Sequence, residues 1–480
     1  MNLSIIRYIL GWVLQFEALF MLCPAVTGLI YREYRAALSF FGVAALCAVI
    51  GFLFRRRYPK NDALFLREGF ATVALSWFFL SLFGCIPFLL SGDIPNFVDA
   101  LFETASGFTT TGASILTDVE AVSRAGTFWR CFSHWIGGMG VFMFILAILP
   151  LMGGYGMNLM RAESPGPSVG KVLPKVKTTA MVMYGIYIGI TVICLICYLI
   201  SGMPLYDALN TTFGTVGTGG FGIYNSSAGS FTPLQQNMIT VFMILSGINY
   251  NLYFLLLARK FRKAFSLEEV RCYLIIIVIS SLLIAYDIRS LYETVGARLR
   301  HAFFQVGSIM TSTGYSTADF DQWPQMSRTI LVILMLIGAC AGSTGGGFKV
   351  SRFLILIKAA KRKLMELIHP NLNKKIYFEG EPLSEEVLSS TNAYTAVYFI
   401  VLFGSVLLIS LDGFDFTSNF TAVTATLNNI GPGLSAVGPA QSYAGYSIFS
   451  KCVLIFDMLA GRLELFPVLI LFMPSCWKKY

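Results

Sequence analysis

Apolar runs of about 20 residues, the length a helix needs to cross a hydrocarbon core of roughly 30 Å, recur along the whole chain. Polar positions fall between them in short blocks. The pattern predicts ten spans, at 5–30, 37–54, 69–91, 127–152, 180–201, 234–258, 271–288, 328–348, 393–411 and 446–474, with the longest polar stretch, 358–391, read as a loop. An even number of spans puts both termini on one side, together with segments 55–68, 153–179, 259–270 and 349–392, which hold most of the Lys and Arg. Clusters such as Arg55-Arg56-Arg57 and Lys361-Arg362-Lys363 make that side cytoplasmic by the positive-inside rule. The first segment has no small-residue cleavage site and is read as a retained helix.

Within this pattern one unit recurs. Four segments, each lying between two apolar spans, start with modest helix formers and end in a turn rich in Thr and Gly. They run from Asp99 to Gly112, Asp207 to Gly220, His301 to Gly314 and Ser418 to Gly431, thirteen positions in every case. Their closing glycines are 108, 94 and 117 residues apart, the length of one span, loop and span. The chain therefore divides into two extra N-terminal helices at 1–66 and repeats at 67–153, 154–262, 263–363 and 364–480. The fold class is an all-α polytopic membrane protein, with four pseudo-repeated membrane–pore–membrane units around a central pore.

These segments are too short to cross a membrane, so they are re-entrant. Non-helical backbone at membrane depth persists only where it is buried in protein or lines water, which makes the four turns face a common cavity. Rings of backbone carbonyls replace the hydration shell of a dehydrated cation, and glycine admits the angles that turn successive carbonyls toward one axis. The expected ion contacts are Thr110, Thr111 and Gly112; Thr218, Gly219 and Gly220; Ser312, Thr313 and Gly314; and Asn429, Ile430 and Gly431. Short helices entering from outside would also point their partly negative C-terminal ends at the cavity. Tight helix packing uses small residues too, but it sets no fixed offset across four units.

Composition narrows the class. Of 480 residues, 56% are hydrophobic and 13% charged, which leaves no room for a soluble domain of ordinary size. The net charge of +9 reports topology and contact with acidic lipid heads or a cytosolic partner rather than nucleic acid. The ten cysteines are scattered singly, and the pair inside one span, Cys194 and Cys197, reads as core packing rather than a redox or metal pair. His134, His301 and His369 lack ligand spacing, with His301 read as facing a loop, and no nucleophile–base constellation points to an enzyme. No buried carboxylate or histidine chain marks a proton relay, and Asp99 and Glu103 read as solvated carboxylates near the outer mouth.

Two features interrupt the spans. Gly338-Ala339-Cys340-Ala341-Gly342-Ser343-Thr344-Gly345-Gly346-Gly347 breaks the eighth, because each Gly costs a helix about 1 kcal/mol relative to Ala. It fails as a phosphate loop, since Lys349 follows Phe348. Arg462 lies about sixteen residues into the last span, roughly 24 Å along a helix. An intramembrane arginine faces water, a partner or a functional path; snorkelling and pairing with Glu464 are the structural alternatives.

The four loops, together with Trp135-Ile136-Gly137-Gly138-Met139-Gly140, Arg161-Ala162-Glu163-Ser164-Pro165-Gly166-Pro167 and Gly461-Arg462-Leu463-Glu464, resemble the membrane subunits of Trk-type bacterial potassium uptake systems, the TrkH family, in the superfamily that includes the Ktr and plant HKT transporters. The likeness covers essentially the whole chain, and the two extra N-terminal spans favour the Trk branch over Ktr. The resemblance implies K+ as the transported ion, with no bound cofactor. It implies a gate made by the intramembrane loop Gly342, Ser343, Thr344, Gly345, Gly346 and Gly347, and by Arg462 pointing into the pore below the filter. It implies a homodimer in the bacterial cytoplasmic (inner) membrane and a cytosolic nucleotide-binding partner of the TrkA type docking on the basic loops. Gly112 matches the potassium-selective members, where some sodium-transporting plant relatives have Ser. In repeat two, Thr215-Val216-Gly217-Thr218-Gly219 resembles a potassium-channel filter two residues early, so two registers stand open, and the thirteen-residue spacing favours Gly220. Two modes of transport also stand open: a gated channel, and obligatory symport with sodium or protons.

Overall fold

A computed structural model describes residues 1–59, 65–138, 140, 176–370 and 375–477. The apolar N-terminal runs form a helical hairpin, α1 (Leu3–Ile30) and α2 (Tyr34–Arg55), which packs against α3 (Leu66–Gly84) and, through α1, against α6 (Arg124–Gly138). A short α4 (Ile86–Ser91) continues α3 after the break at Cys85.

Four helices match the re-entrant segments: α5 (Phe97–Phe108), α8 (Leu205–Val216), α13 (Val295–Met310) and α17 (Phe416–Leu427). At 1.5 Å per residue a 12-residue helix is about 18 Å long, short of the membrane core. Side-chain caps fix three of their starts: Asn96, Thr294 and Asp415 each accept from backbone N–H groups of the first turn.

Each short helix sits between a preceding and a following apolar helix. The preceding helices are α3, α7 (Val176–Ile200), α12 (Glu268–Asp287) and α16 (Glu385–Ile409). The following ones are α6, the pair α9 (Pro233–Ser246) and α10 (Tyr250–Leu257), α14 (Gln325–Ile337) and α18 (Ile448–Arg462). Every short helix also packs on the following helix of the neighbouring repeat: α8 on α6, α13 on α9, α17 on α14 and α5 on α18. The contacts therefore close into a ring.

Where hydropathy counts ten spans, six described helices are long and apolar enough to cross a membrane, or seven with the bent pair α9–α10. The shortfall lies in the helices that follow the turns. α9 and α10 meet at 88°, α14 stops at Ile337, and α18 stops at Arg462, where Glu464 and Leu465 take positive φ (61° each) before α19 (Phe466–Leu469) begins. The last span, 446–474, is thus broken, and the fourth, 127–152, runs beyond the described residues after Gly138 save for Gly140. Hydropathy registers apolarity but not the main-chain breaks that polar carbonyl partners stabilise. The polar stretch 358–391 is likewise not one loop: α15 (Val350–Ile368) continues through it, a hairpin pairs β1 (Tyr377–Phe378) with β2 (Glu381–Pro382), and α16 starts at Glu385. A short α11 (Phe261–Ser266) precedes α12.

Candidate functional site

The turns after α5, α8, α13 and α17 share one backbone. Thr110, Thr218, Ser312 and Asn429 have φ of 55°, 54°, 57° and 54°, and two residues on Gly112, Gly220, Gly314 and Gly431 have φ of 78°, 78°, 86° and 98°. Between each pair the N–H of Thr111, Gly219, Thr313 or Ile430 turns back to the helix, donating to Ser106 O, Gly214 O, Ser308 O or Ala425 O at 2.8–2.9 Å. With that amide occupied inward, the left-handed residues on either side re-aim the neighbouring carbonyls. The backbone follows the thirteen-residue register, with Gly220 rather than Gly219 in the glycine position of repeat two.

The four turns meet one another. A Cβ on Gly112 would fall on Gly219 O, on Gly220 on Thr313 O, on Gly314 on Ile430 O and on Gly431 on Thr111 O, in each case inside the 3.0 Å at which real Cβ atoms stop. The carbonyls of Thr111, Gly219, Thr313 and Ile430 occupy equivalent positions, so the approaches run from repeat one to two, three, four and back to one. Side chains support this ring from behind. The Phe221 N–H donates to His134 Nε2 at 3.2 Å while His134 Nδ1 donates to Gly107 O at 2.8 Å, a neutral tautomer bridging repeats one and two. Tyr315 Oη donates to Phe221 O at 3.3 Å, and Asn429 Nδ2 donates to Thr111 Oγ1 at 3.0 Å and to Met458 O at 2.9 Å.

Glu103 corrects the sequence reading. It is buried at 0% exposure rather than solvated, and Arg130 Nε lies 2.7 Å from its carboxylate. Ser114 Oγ and the Ile115 N–H donate to the same group at 2.9 and 3.0 Å, and Arg130 reaches Gly222 O at 3.4 Å. The ion pair thereby holds the chain leaving the first two turns. A charge at position 130 inside an apolar span was the available signal. Asp99 instead pairs with Lys451 at 2.7 Å. His301 meets the loop residue Thr317 at 2.9 Å. Two span carboxylates passed over in the sequence are also buried: Glu17, without a hydrogen-bond partner among the described residues, and Asp457, which accepts from Ser405 at 2.7 Å. They lie on separate elements and form no relay with each other.

Residues 338–349 are non-helical, as the glycine run predicts, with positive φ at Gly338, Gly342, Gly347 and Lys349. This loop presses on the ring. The Gly346 N–H donates to Ser312 Oγ at 2.5 Å, a Cβ on Gly345 would come within 2.8 Å of Thr311 O, and one on Gly346 within 2.6 Å of Asn428 O. Thr344 Oγ1 donates to Ser246 O at 3.1 Å and Ser343 Oγ to Cys340 O at 2.7 Å. Lys349 Nζ donates to Gly345 O.

Arg462 ends α18 beside this loop. Its guanidinium donates to Thr344 O at 2.9 Å, to Gly138 O at 2.8 Å and to Gly137 O, tying repeats four, three and one together. Glu464 pairs with Arg352 rather than with Arg462. Of the resemblance-bearing motifs, Met139 and 161–167 lie outside the described residues. Among the described residues no group of three or more His, Cys, Asp or Glu could hold a metal ion, and the polar groups that the four turns bring together are backbone carbonyls and hydroxyls.

The family model of TrkH, described as a cation transport protein, matches residues 36–479. The chain is 37% identical to the Trk system potassium uptake protein TrkH of Salmonella typhimurium and 36% identical to that of Escherichia coli K12, each over the full length of both chains. It also superposes on the crystal structure of the potassium transporter TrkH from Vibrio parahaemolyticus with a TM-score of 0.88, 33% identity and 100% of each chain covered.

Proposed function

Because the chain belongs to the TrkH family of cation transport proteins, and is a multi-pass membrane protein and not an enzyme, we propose that it takes up potassium across the bacterial cytoplasmic membrane through the ring of four turns. The observation that carries this reading is the closed sequence of approaches from Gly112, Gly220, Gly314 and Gly431 to the carbonyls of the next repeat. A dehydrated potassium ion takes its oxygens from carbonyls contributed equally by all four units, chiefly those of Thr110–Gly112, Thr218–Gly220, Ser312–Gly314 and Asn429–Gly431. Four helix C-termini end at the same place, and their partial negative charges favour a cation and oppose an anion.

Below the ring, the loop Gly342–Gly347 and the Arg462 guanidinium form the barrier. The loop fills space against Thr311 and Asn428, and the fixed positive charge repels an ion leaving the filter. Flow resumes when the Arg462 bonds to Thr344, Gly137 and Gly138 release and the loop withdraws. A cytosolic nucleotide-binding subunit of the TrkA type acting on the basic loops supplies that displacement, with the protein assembled as a homodimer.

Tracer rubidium uptake into proteoliposomes tests the reading. With neither a sodium nor a proton gradient, uptake proceeds and potassium competes with it. Uptake that stops without sodium or protons identifies an obligatory symporter instead. Absence of uptake in every condition by folded protein overturns the pore.

A further inference from the structure

The loop beneath the ring is held at its base by one carboxylate. Glu269, 3% exposed near the start of α12, accepts the Ala341 N–H at 2.6 Å and the Ser351 N–H at 3.1 Å on one oxygen and Asn249 Nδ2 at 3.2 Å on the other. Ala341 and Ser351 flank the Gly342–Gly347 segment, and Asn249 sits in the break between α9 and α10. One side-chain carboxyl group therefore closes both ends of the loop and ties it to a kink in the neighbouring repeat.

What positions Glu269 comes from elsewhere in the chain. The residue before α12, Leu267, offers no side-chain cap. The cap is Glu379, at the tip of the β1–β2 hairpin, whose two carboxylate oxygens accept the N–H groups of Glu268 and Glu269 at 2.9 Å each. Glu379 holds φ of 51° and Gly380 φ of 81°, the left-handed pair a two-residue hairpin turn needs. Lys358, on the helix that continues from the loop, locks the arrangement by donating to Glu268 at 2.6 Å and to Tyr377 O at 2.8 Å. Phe378 and Ile376 pack into a small core with Ile355 and Leu388, which seats the hairpin against the base of α15.

We infer that the β1–β2 hairpin sets the position of the intramembrane loop through a two-carboxylate linkage, Glu379 capping α12 and Glu269 clamping the loop. Glu269 and Glu379 are positioning residues, neither touching the ion path. A partner that pulls the hairpin away from α12 loosens the clamp without reaching into the membrane. The functional consequence rests on the reading of the loop as the barrier.

Hydrogen–deuterium exchange of the full chain in lipid nanodiscs, followed at 338–351, tests the linkage without requiring ion flow. Glu379→Ala speeds exchange at the Ala341 and Ser351 amides by about fivefold, the ratio that loss of a typical helix N-cap corresponds to, while the turns at 106–112, 214–220 and 308–314 exchange as before. Glu379→Gln, which keeps the side-chain volume, gives a smaller shift in the same direction. Glu269→Gln speeds the same amides, and adding Glu379→Gln to it brings no further increase, because the two act in series. Unchanged exchange in both Glu379 variants while Glu269→Gln responds overturns the role of the hairpin, and unchanged exchange in all of them overturns the linkage. Rubidium flux on the same samples separates the two layers. Faster exchange with faster flux supports both, whereas faster exchange with unaltered flux supports the linkage and removes the loop as barrier.

Discussion

Replacing the glycine that closes the turn of repeat two, Gly220, probes the ring most sharply. In Gly220→Ala the new methyl group would occupy the space of Thr313 O, one of the four equivalent carbonyls, and the backbone at φ 78° would carry a side chain in the left-handed region. Non-glycine residues with φ of 54–57° stand in the left-handed region two positions earlier in all four turns, so backbone strain alone, about 1–2 kcal/mol, is survivable. The steric conflict decides the outcome, because the atom in the way is main chain and cannot rotate aside. Moving the oxygen off the axis at a strain of about 1–3 kcal/mol corresponds to roughly 5- to 150-fold weaker competition of potassium against rubidium. Gly112→Ala and Gly314→Ala behave alike, since a carbonyl blocks each. Gly431→Ala is milder, its nearest atom being Thr111 O at 2.7 Å. Gly404→Ala serves as the control, because among the described residues a Cβ there meets nothing within 4 Å, and in a helix it gains up to about 1 kcal/mol of propensity. The assay is tracer flux with potassium and sodium as competitors on protein shown to be folded. Gly220→Ala with unaltered competition would refute the ring.

Other consequences follow from single contacts. Arg462→Ala removes the bonds to Thr344, Gly137 and Gly138 and raises passive rubidium flux at least several-fold, whereas a wild-type rate excludes Arg462 from the barrier. Arg130→Met leaves Glu103 buried without its countercharge and destabilises by about 3–5 kcal/mol, read as a large drop in thermal midpoint in detergent. At the outer turn, the hydrogen bond from Asn225 holds the Asp118 carboxyl below its usual pKa. Its contribution is therefore present above the ordinary carboxylate value of about 3.9 and is lost as pH falls through the lower folded value. Protection of the Val119 and Asn225 amides, expressed relative to the intrinsic exchange rate at each pH, is kept at neutral pH and falls only below that range.

The architecture was legible because two signals are periodic. Apolar runs of membrane length mark the spans, and a fixed thirteen-residue offset marks the turns; left-handed φ at Thr218 and Gly220 follows that offset rather than the local resemblance at Thr215–Gly219. The breaks were legible only where glycine announces them, as at Gly338–Gly347. At Arg462–Leu465 the otherwise apolar last span conceals a break beside which Arg462 finds carbonyl partners on a distant helix and on the loop 338–349. Glu103 was misplaced for a related reason. A carboxylate about two turns into a short helix looks solvated in sequence, and its partner Arg130 lies 27 positions away on another element. The clamp at Glu269 joins residues 72 and 82 positions apart, and no local pattern encodes it.

The most direct test of the pore is the position of a heavy cation. Crystals grown in thallium or rubidium, measured at an anomalous edge, place a peak on the axis enclosed by the carbonyls of Thr111, Gly219, Thr313 and Ile430, and the peak fades when potassium replaces the heavy ion. An ordered structure with no peak on that axis, or with its peaks elsewhere, contradicts transport through the ring of four turns.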